Sequence, residues 1–321
     1  MSANSTMLAL AERYIAEQRA LGFTLVTKAR LTRAFARFAD GVGHEGPITA
    51  ELVLRWARDE AAHSSRFTWA GRVAVLRTFA THLARSEPAT AFPDGLPFGR
   101  STRRVAPHIY TAAEVDALVA AAGQLSPEGG LTGATYPALF GLLAATGLRI
   151  SEALRLCCGD VDSDQQMMTV HRSKYGRTRL VPLHATTAMA LRRYLAVRAR
   201  YGPVAHDAPL FLSETTLQRL RYPSVRSVFL RLAANLGFTA RGGHRLVRIH
   251  DLRHTFICRR LMLWQEQGAD IHNALVALSA YVGHATAVDT YWYLQAVPEL
   301  MAVAGDRFGA FAAGRTEVRH G

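Results

Sequence analysis

The chain has 321 residues, more than one hydrophobic core usually spans, so the sequence predicts two domains. Hydrophobic residues make up 49% of it and charged residues 20%, which excludes a disordered tail, a coiled-coil rod and a collagen-like repeat. The 38 basic residues outnumber the 25 acidic ones, giving a net charge of +13. Such an excess is typical of proteins that bind a polyanion, most often nucleic acid, although it also occurs where charge serves only solubility.

Cysteine content and hydropathy favour a cytoplasmic protein. Cys157, Cys158 and Cys258 are too few and too irregularly spaced for a disulfide framework, which indicates a reducing compartment. The first residues show no basic stretch followed by an apolar one, as a secretory signal would. The longest uncharged run, Gly129–Leu148, is interrupted by glycine and proline and predicts a loop with a buried helix rather than a membrane span.

Residues 1–90 are predicted to form a helical domain. Apolar residues recur at helical spacing in four stretches, approximately residues 8–18, 28–38, 49–62 and 68–84. Proline and glycine are dense in residues 91–108, which predicts a linker. Its arginines, Arg100, Arg103 and Arg104, could follow a phosphate backbone or belong to an ordinary solvated connector.

Residues 109–321 are predicted to form a second domain, mainly α with a small β-sheet. Thr111 and Glu114 have the spacing of a capping box, and a buried helix is expected to end at Gly147, with Ser151 capping the next one. Alternating residues in 167–172 and 177–183 predict a β-hairpin. Further helices are predicted at about 186–200, 224–236, 250–266, 270–282 and 287–294, and a short tail helix follows Pro298.

Three short segments and one lysine carry the candidate chemistry. They are ATGLRISE around Arg149, HDLRH at 250–254, VGH at 282–284 followed nine residues later by Tyr293, and Lys174 in the predicted hairpin turn. In this order and spacing they resemble the tyrosine recombinase, or phage integrase, family over residues 111–294. The N-terminal helices resemble that family only in general character. The resemblance implies a helical DNA-binding domain and a catalytic domain that together clamp duplex DNA.

The chemistry of cutting and rejoining DNA explains why these residue types belong together. Without an external energy source, the energy of the phosphodiester must be kept in a covalent enzyme–DNA bond, which a tyrosine oxygen can form. Negative charge spreads over the phosphate oxygens in the transition state, where fixed guanidinium donors stabilise it. Histidine can accept a proton or donate to the phosphate, and lysine can protonate the leaving oxygen.

The resemblance assigns the phosphate-binding roles and the nucleophile. Arg149 and Arg253 match the two catalytic arginines of the family, and His284 matches its second histidine, which is expected to bind the phosphate. Tyr293 is the expected nucleophile, since its distance from His284 selects it over Tyr291.

The proton-transfer roles fall on two further residues. His250 lies three residues before Arg253, hence on the same helix face, and would accept the phenolic proton or donate to the phosphate. Lys174 would protonate the leaving 5′ oxygen. Glu152 matches a position that is often acidic, and we expect it to orient an arginine or a histidine.

The sequence therefore predicts a site-specific recombinase that needs no metal ion or other cofactor. It is expected to act on double-stranded DNA as a tetramer, alone or together with related recombinases, and to belong to a mobile element. Two other functions stay open: a catalytically silent DNA-binding accessory protein and a topoisomerase of similar chemistry. A metal-binding face made of His250, His254 and Cys258, four residues apart on a helix, is the competing interpretation of that segment.

Overall fold

The structure is a computed structural model that describes residues 6–101, 105–126, 129–171, 178–284, 286 and 288–296. The chain divides into two compact units, Met1–Arg104 and Val105–Gly321. Arg103 and Arg104 of the predicted linker lie outside the described residues, as does the tail helix predicted after Pro298. Among the residues described, none of the helices combines the length and the apolar character that a membrane crossing requires.

The first unit contains the four helices that the periodicity predicts. They are α1 (Met7–Ala20), α2 (Val26–Gly41), α3 (Ala50–Asp59) and α4 (Arg66–Leu83). Thr49 caps α3, because its side-chain oxygen accepts the N–H of Leu52 at 3.2 Å. The apolar faces meet in a core that includes the fully buried rings of Phe35, Trp56 and Phe79.

The second unit is mainly α-helical, as predicted. Its helices are α5 (Ala112–Gly123), α6 (Leu131–Thr146), α7 (Ile150–Ala153), α8 (Ala185–Arg198), α9 (Tyr222–Asn235), α10 (His250–Glu266), α11 (Ile271–Val282) and α12 (Val288–Ala296). The capping box that begins α5 is confirmed, with Thr111 and Glu114 exchanging hydrogen bonds of 2.7 and 3.1 Å. Helices α10, α11 and α12 pack together around Ile257, Leu261 and Leu278.

A small antiparallel sheet lies between α7 and α8. Its strands are β1 (Val161–Asp162), β2 (Met167–Val170) and β3 (Arg179–Pro182), in the order β1-β2-β3. Met168 pairs with Val181, and both side chains are fully buried on the core face of the sheet. The predicted pair of strands is thus confirmed, whereas its turn, which includes Lys174, lies outside the described residues.

The turn between α6 and α7 brings one chain segment into the candidate site. Gly147 ends α6 in the left-handed conformation, with φ of +61°, which glycine adopts without a Cβ penalty. Helix α7 begins one residue after Arg149, so Arg149 is its N-cap. The predicted cap at Ser151 is wrong because Ser151 already lies inside the first turn, and the carboxylate of Glu152 accepts the Arg149 N–H instead, at 3.1 Å.

Candidate active site

Arg149 extends from the start of α7 towards the turn that follows α11. Its Nη2 donates to the carbonyl oxygen of Gly283 at 2.9 Å, and its Nη1 donates to Oε1 of Glu152 at 2.9 Å. The side chain is 23% exposed, so the guanidinium is held from two sides and still faces solvent. A ligand can therefore reach a cation whose position is already fixed.

Glu152 is a buried carboxylate held between two arginines. Arg179, on β3, donates its Nη1 and Nη2 to the two oxygens of Glu152 at 3.2 and 2.9 Å, and its Nε to the carbonyl of Tyr281 at 2.9 Å. Burial alone would raise the pKa of Glu152, but the hydrogen bonds from Arg179 and the nearby Arg149 lower it to about 2. Glu152 is therefore ionised, and its contact with Arg149 agrees with the orienting role expected for it.

Arg253 is almost completely buried on α10. It is 2% exposed, and it donates Nη1 to the carbonyl of Gly147 at 2.6 Å and Nη2 to the carbonyl of Val282 at 2.8 Å. Burial and the charge of Arg149 lower its pKa to about 9, which leaves it protonated at neutral pH. Because carbonyl oxygens carry no net charge, these hydrogen bonds fix the guanidinium without cancelling its charge.

His250 is the first residue of α10, and the turn before it is fixed by an ion pair. The buried carboxylate of Asp251 accepts the backbone N–H of Arg248 at 3.0 Å and its Nη2 at 2.7 Å. The His250 side chain is exposed, yet desolvation by the surrounding protein and the charges of Arg253 and Arg248 lower its pKa to about 4. His250 is thus neutral at pH 7.

His284 lies just after α11 and is oriented by two hydroxyl groups. Its Nδ1 is 2.6 Å from Oγ1 of Thr290, which is 2.6 Å from Oγ of Ser279. Desolvation and the charge of Arg253 lower the pKa of His284 to about 3. The ring lies nearly parallel to that of Tyr293, with centroids 6.3 Å apart and planes inclined by 9°.

Tyr293, on α12, places its hydroxyl in the same cluster. The residue is 3% exposed, and its oxygen is 2.6 Å from Nδ1 of His254. Burial raises the pKa of the phenol, and the charges of Arg253 and Arg149 act in the opposite direction. Tyr291 packs at the edge of the core formed by α10 to α12, where it is only partly buried.

Five of the six predicted site residues therefore lie in one cluster of the second unit: Arg149, His250, Arg253, His284 and Tyr293. The sixth, Lys174, lies outside the described residues. Within the part of the chain that the structure describes, no three His, Cys, Asp or Glu side chains are grouped to hold a metal ion, and this includes the candidate face on α10.

Two further residues belong to the cluster: Arg179, which the sequence pattern does not single out, and His254, which it assigns only to the competing metal-binding face. Strand alternation could have identified Arg179, because it shares a sheet face with the buried Val181 and a charge on a buried face requires a partner such as Glu152. His254 belongs to the segment that carries His250 and Arg253, but its contact with α12 depends on tertiary packing.

The geometry suits a phosphate diester and an attacking phenol. The cluster contains three guanidinium groups and one carboxylate, and its histidines are neutral, so it keeps a net positive charge. Arg149 and Arg253 donate to the carbonyls of two consecutive residues, Gly283 and Val282, which brings both cations to the same turn. The phenol of Tyr293 lies within the field of both, as nucleophilic attack on a bound phosphate requires.

Comparison with known proteins identifies relatives along most of the chain. Residues 109–299 match the Phage integrase family. A protein of Sinorhizobium fredii named as an integrase or recombinase, y4rB, is 35% identical over 307 residues, which cover 94% of this chain and 96% of that protein. The tyrosine recombinase XerD of Xanthomonas axonopodis is 32% identical over 297 residues, covering 88% of this chain and 90% of XerD.

Solved structures share the fold. The Tn1549 transposon integrase in complex with transposon right end DNA aligns with a TM-score of 0.66 at 17% identity, covering 95% of this chain and 99% of that one. The XerH site-specific recombinase in a post-cleavage complex with palindromic difH substrate aligns with a TM-score of 0.64 at 18% identity, covering 92% of this chain and 83% of that one.

Proposed function

The chain belongs to the phage integrase family of tyrosine recombinases, enzymes that cleave and rejoin DNA strands, and from this premise we propose that Tyr293 is the nucleophile that joins the protein to DNA. Its phenolic oxygen attacks the scissile phosphate and forms a 3′-phosphotyrosyl bond, releasing a 5′ hydroxyl. The 5′ hydroxyl of a second DNA then attacks that bond and restores a phosphodiester. The energy of the original bond is conserved throughout.

One observation carries the proposal: Arg149 and Arg253 both donate to the turn at Val282 and Gly283, and the ring of the next residue, His284, lies parallel to that of the buried Tyr293. Arg149 and Arg253 bind the non-bridging phosphate oxygens and stabilise the charge that builds up in the transition state. His250 and His284 donate to the same phosphate. Lys174 protonates the leaving 5′ oxygen, a step for which a free ammonium group is better suited than a guanidinium group that is bound to the phosphate.

We propose double-stranded DNA as the substrate and four copies of the chain as the active assembly. Strand exchange between two duplexes breaks four strands, and each chain supplies one Tyr293. The net charge of +13 favours DNA binding. Relatives named as integrases, among them a transposon integrase of the same fold, support a role in a mobile element.

The test captures the covalent intermediate and does not require the target sequence to be known in advance. Fragments of the source DNA carrying random nicks are incubated with the protein, because a nick near the cleavage point lets the released end diffuse away and traps the adduct. DNA that stays bound after denaturation with detergent is sequenced to identify the site. The wild-type protein is expected to stay bound to DNA fragments of one sequence class. After protease digestion, these fragments are expected to carry a peptide that is attached through Tyr293.

The control is Tyr293→Phe, which removes the nucleophile and keeps the ring. It is expected to bind the same DNA in a gel-shift assay and to form no adduct, whereas Tyr291→Phe is expected to form it. An adduct with Tyr293→Phe, or none with the wild-type protein on DNA that it binds, would contradict the assignment. Light scattering on the captured complex is expected to show four protein chains.

A further inference from the structure

The hydroxyl of Tyr293 is bound to a histidine that the expected mechanism does not use. Nδ1 of His254 lies 2.6 Å from the phenolic oxygen, the distance of a strong hydrogen bond. Within the described part of the chain, no hydrogen bond joins that oxygen to His250 or to His284, the two histidines with expected roles. The histidine that contacts the phenolic oxygen is therefore His254.

The His254 ring is held in place by aromatic neighbours. His250 contacts it edge to face, with centroids 4.7 Å apart and planes at 89°. The ring centroids of Trp292 and Tyr293 lie 6.3 and 5.4 Å from the centroid of the His254 ring. The side chain is thus fixed between α10 and α12, and Nδ1 points at the phenol.

Burial, together with the surrounding charges, keeps His254 neutral in the protein alone. Desolvation by burial is the main cause, with His250 and the arginines next, and together they lower its pKa to about 2. A neutral imidazole has one nitrogen without a proton, and the phenol of Tyr293 is protonated because burial raises its pKa. In the tautomer that carries the imidazole proton on Nε2, the phenol donates and Nδ1 accepts. The titratable and charged groups that face this pair are Arg248, His250, Arg253 and Cys258 on or beside α10, His284, Asp289 on α12, and Arg149 at α7.

We propose that His254 is the base that takes the proton of Tyr293 during cleavage, a role that rests on the function proposed above. The Tyr293 oxygen–phosphorus bond forms and the bond from phosphorus to the 5′ oxygen breaks. The phenolic proton moves to Nδ1 of His254, and the leaving oxygen receives a proton from the general acid. Rejoining reverses each transfer, so His254 returns its proton to the tyrosine oxygen. His250 then acts as a donor to the phosphate.

The bound DNA supplies the change in proton affinity that this step requires. A phosphate in the arginine cluster adds negative charge close to His254, and negative charge stabilises the imidazolium form. The base is thus weak in the protein alone and stronger once the substrate is bound. This order of events protects the free protein from carrying a reactive phenolate.

The test is His254→Asn, which keeps an oxygen where Nδ1 lies but cannot take the proton. Single-turnover formation of the covalent adduct is measured across pH on the captured DNA site. We expect the rate to fall on the order of 10²- to 10⁴-fold, the usual contribution of a general base. The wild-type rate is expected to decline at acid pH as His254 protonates in the complex, and this inflection is expected to be absent from the variant.

His108→Asn is the matched control, since His108 is a buried histidine of the same unit whose pKa is also lowered by burial. It tests whether a loss of stability alone slows cleavage, and its pH profile is expected to match that of the wild-type protein. Thermal unfolding and DNA affinity are measured for all variants. A His254→Asn protein that cleaves at the wild-type rate with the wild-type pH profile would overturn the proposal.

A tyrosine analogue that ionises more readily distinguishes proton transfer by His254 from a role in which His254 only positions the Tyr293 ring. A fluorinated tyrosine at position 293 ionises at lower pH and can lose its proton to solvent, so it is expected to restore cleavage by His254→Asn but not by Arg149→Ala. Failure to restore it would show that His254 only positions the phenol. If Tyr293-dependent adducts form and His254→Asn behaves as wild type, the base assignment alone fails. If no such adduct forms at all, the proposed function fails.

Discussion

At the scale of single residues, the candidate site separates the charges that it neutralises from those that it leaves for a ligand. Arg179 binds both oxygens of Glu152, so these two charges offset each other. Arg253 binds only backbone carbonyls, which orient a cation without cancelling it. Arg149 shares one contact with Glu152 and keeps a solvent-exposed edge. The excess positive charge is therefore directed to the place where a phosphate would bind.

The ion pair of Glu152 predicts a change in acid stability. Its pKa is about 2 in the folded protein against an ordinary value of 4.5, so its contribution is complete above pH 4.5 and is lost as the pH falls towards about 2. Glu152→Gln is expected to lower the free energy of unfolding by about 3 kcal/mol at neutral pH. Because the wild-type advantage disappears in acid, urea unfolding of the two proteins is expected to converge between pH 4.5 and about 2.

The control for this substitution is Glu266→Gln, at the exposed end of α10, where the loss of a carboxylate is expected to change stability by less than about 0.5 kcal/mol. The histidines with lowered pKa values begin to affect the stability at a higher pH than Glu152 does, as the pH falls below about 6.5. All the proteins compared contain these histidines, so their effect cancels in the difference. A constant difference between wild type and Glu152→Gln over the whole pH range would contradict the ion-pair account.

At the scale of elements, the end of α6 links helix geometry to the position of an arginine. Gly147 has a positive φ, and a Cβ at that position would lie 2.5 Å from Cδ1 of Phe256 on α10. Its carbonyl is the acceptor for Nη1 of Arg253. The same residue therefore ends a helix, allows α10 to approach and orients a cation.

Gly147→Ala is expected to destabilise the second unit by about 2–4 kcal/mol, the combined effect of the left-handed backbone and an overpacked contact. Gly141→Ala is the matched control, because Gly141 lies inside the same helix and, apart from its chain neighbours and the backbone of its own helix, no atom lies within 4 Å of the position that an alanine methyl would occupy there. That substitution is expected to be neutral or to stabilise by about 0.5–1 kcal/mol. Equal melting temperatures for the two variants would contradict this account of Gly147.

The helices and the hairpin could be predicted from the sequence, whereas several contacts of the site could not. Hydrophobic periodicity depends on neighbouring residues, and it located α1 to α4 and α8 to α12 to within a few residues. The hydrogen bond between His254 and Tyr293 joins residues 39 apart, and its formation depends on how α12 packs on α10. The family resemblance predicted which residues would meet but not their hydrogen-bond partners.

At the start of α7, the capping preference of serine and the contacts of the folded protein favour different N-cap residues. Serine is a preferred N-cap residue, which made Ser151 the expected cap. The helix begins one residue after Arg149 instead, because the left-handed Gly147 turns the chain earlier and Glu152 is placed to accept the N–H of Arg149. The site thus uses the helix start to fix its arginine, a tertiary requirement that capping preferences do not report.

At the scale of the whole molecule, the chain has an excess of basic residues, and several of them lie beside the site. A cavity of about 420 Å³ next to His250 is lined by apolar side chains together with Arg226, Arg245 and Arg248. Arg226 and Arg245 are exposed and have no carboxylate partner among the described residues. Uncompensated arginines around a phosphate-binding site are expected to extend the contact with the DNA backbone.

This charge distribution predicts how DNA binding depends on salt. Each phosphate neutralised by the protein releases counterions, so contact with about 6–10 phosphates weakens binding by about 10³- to 10⁵-fold between about 50 and 200 mM salt. Arg226→Gln with Arg245→Gln is expected to reduce the slope of log affinity against log salt by about 1 per arginine that contacts a phosphate. Arg192→Gln is the control, because Arg192 is already paired with Asp164 and is expected to change the slope little. Fluorescence anisotropy with the Tyr293→Phe protein, which is expected not to cleave, measures the slope at equilibrium. If the double variant kept the wild-type slope while Arg192→Gln reduced it, the DNA backbone would follow a different face of the second unit.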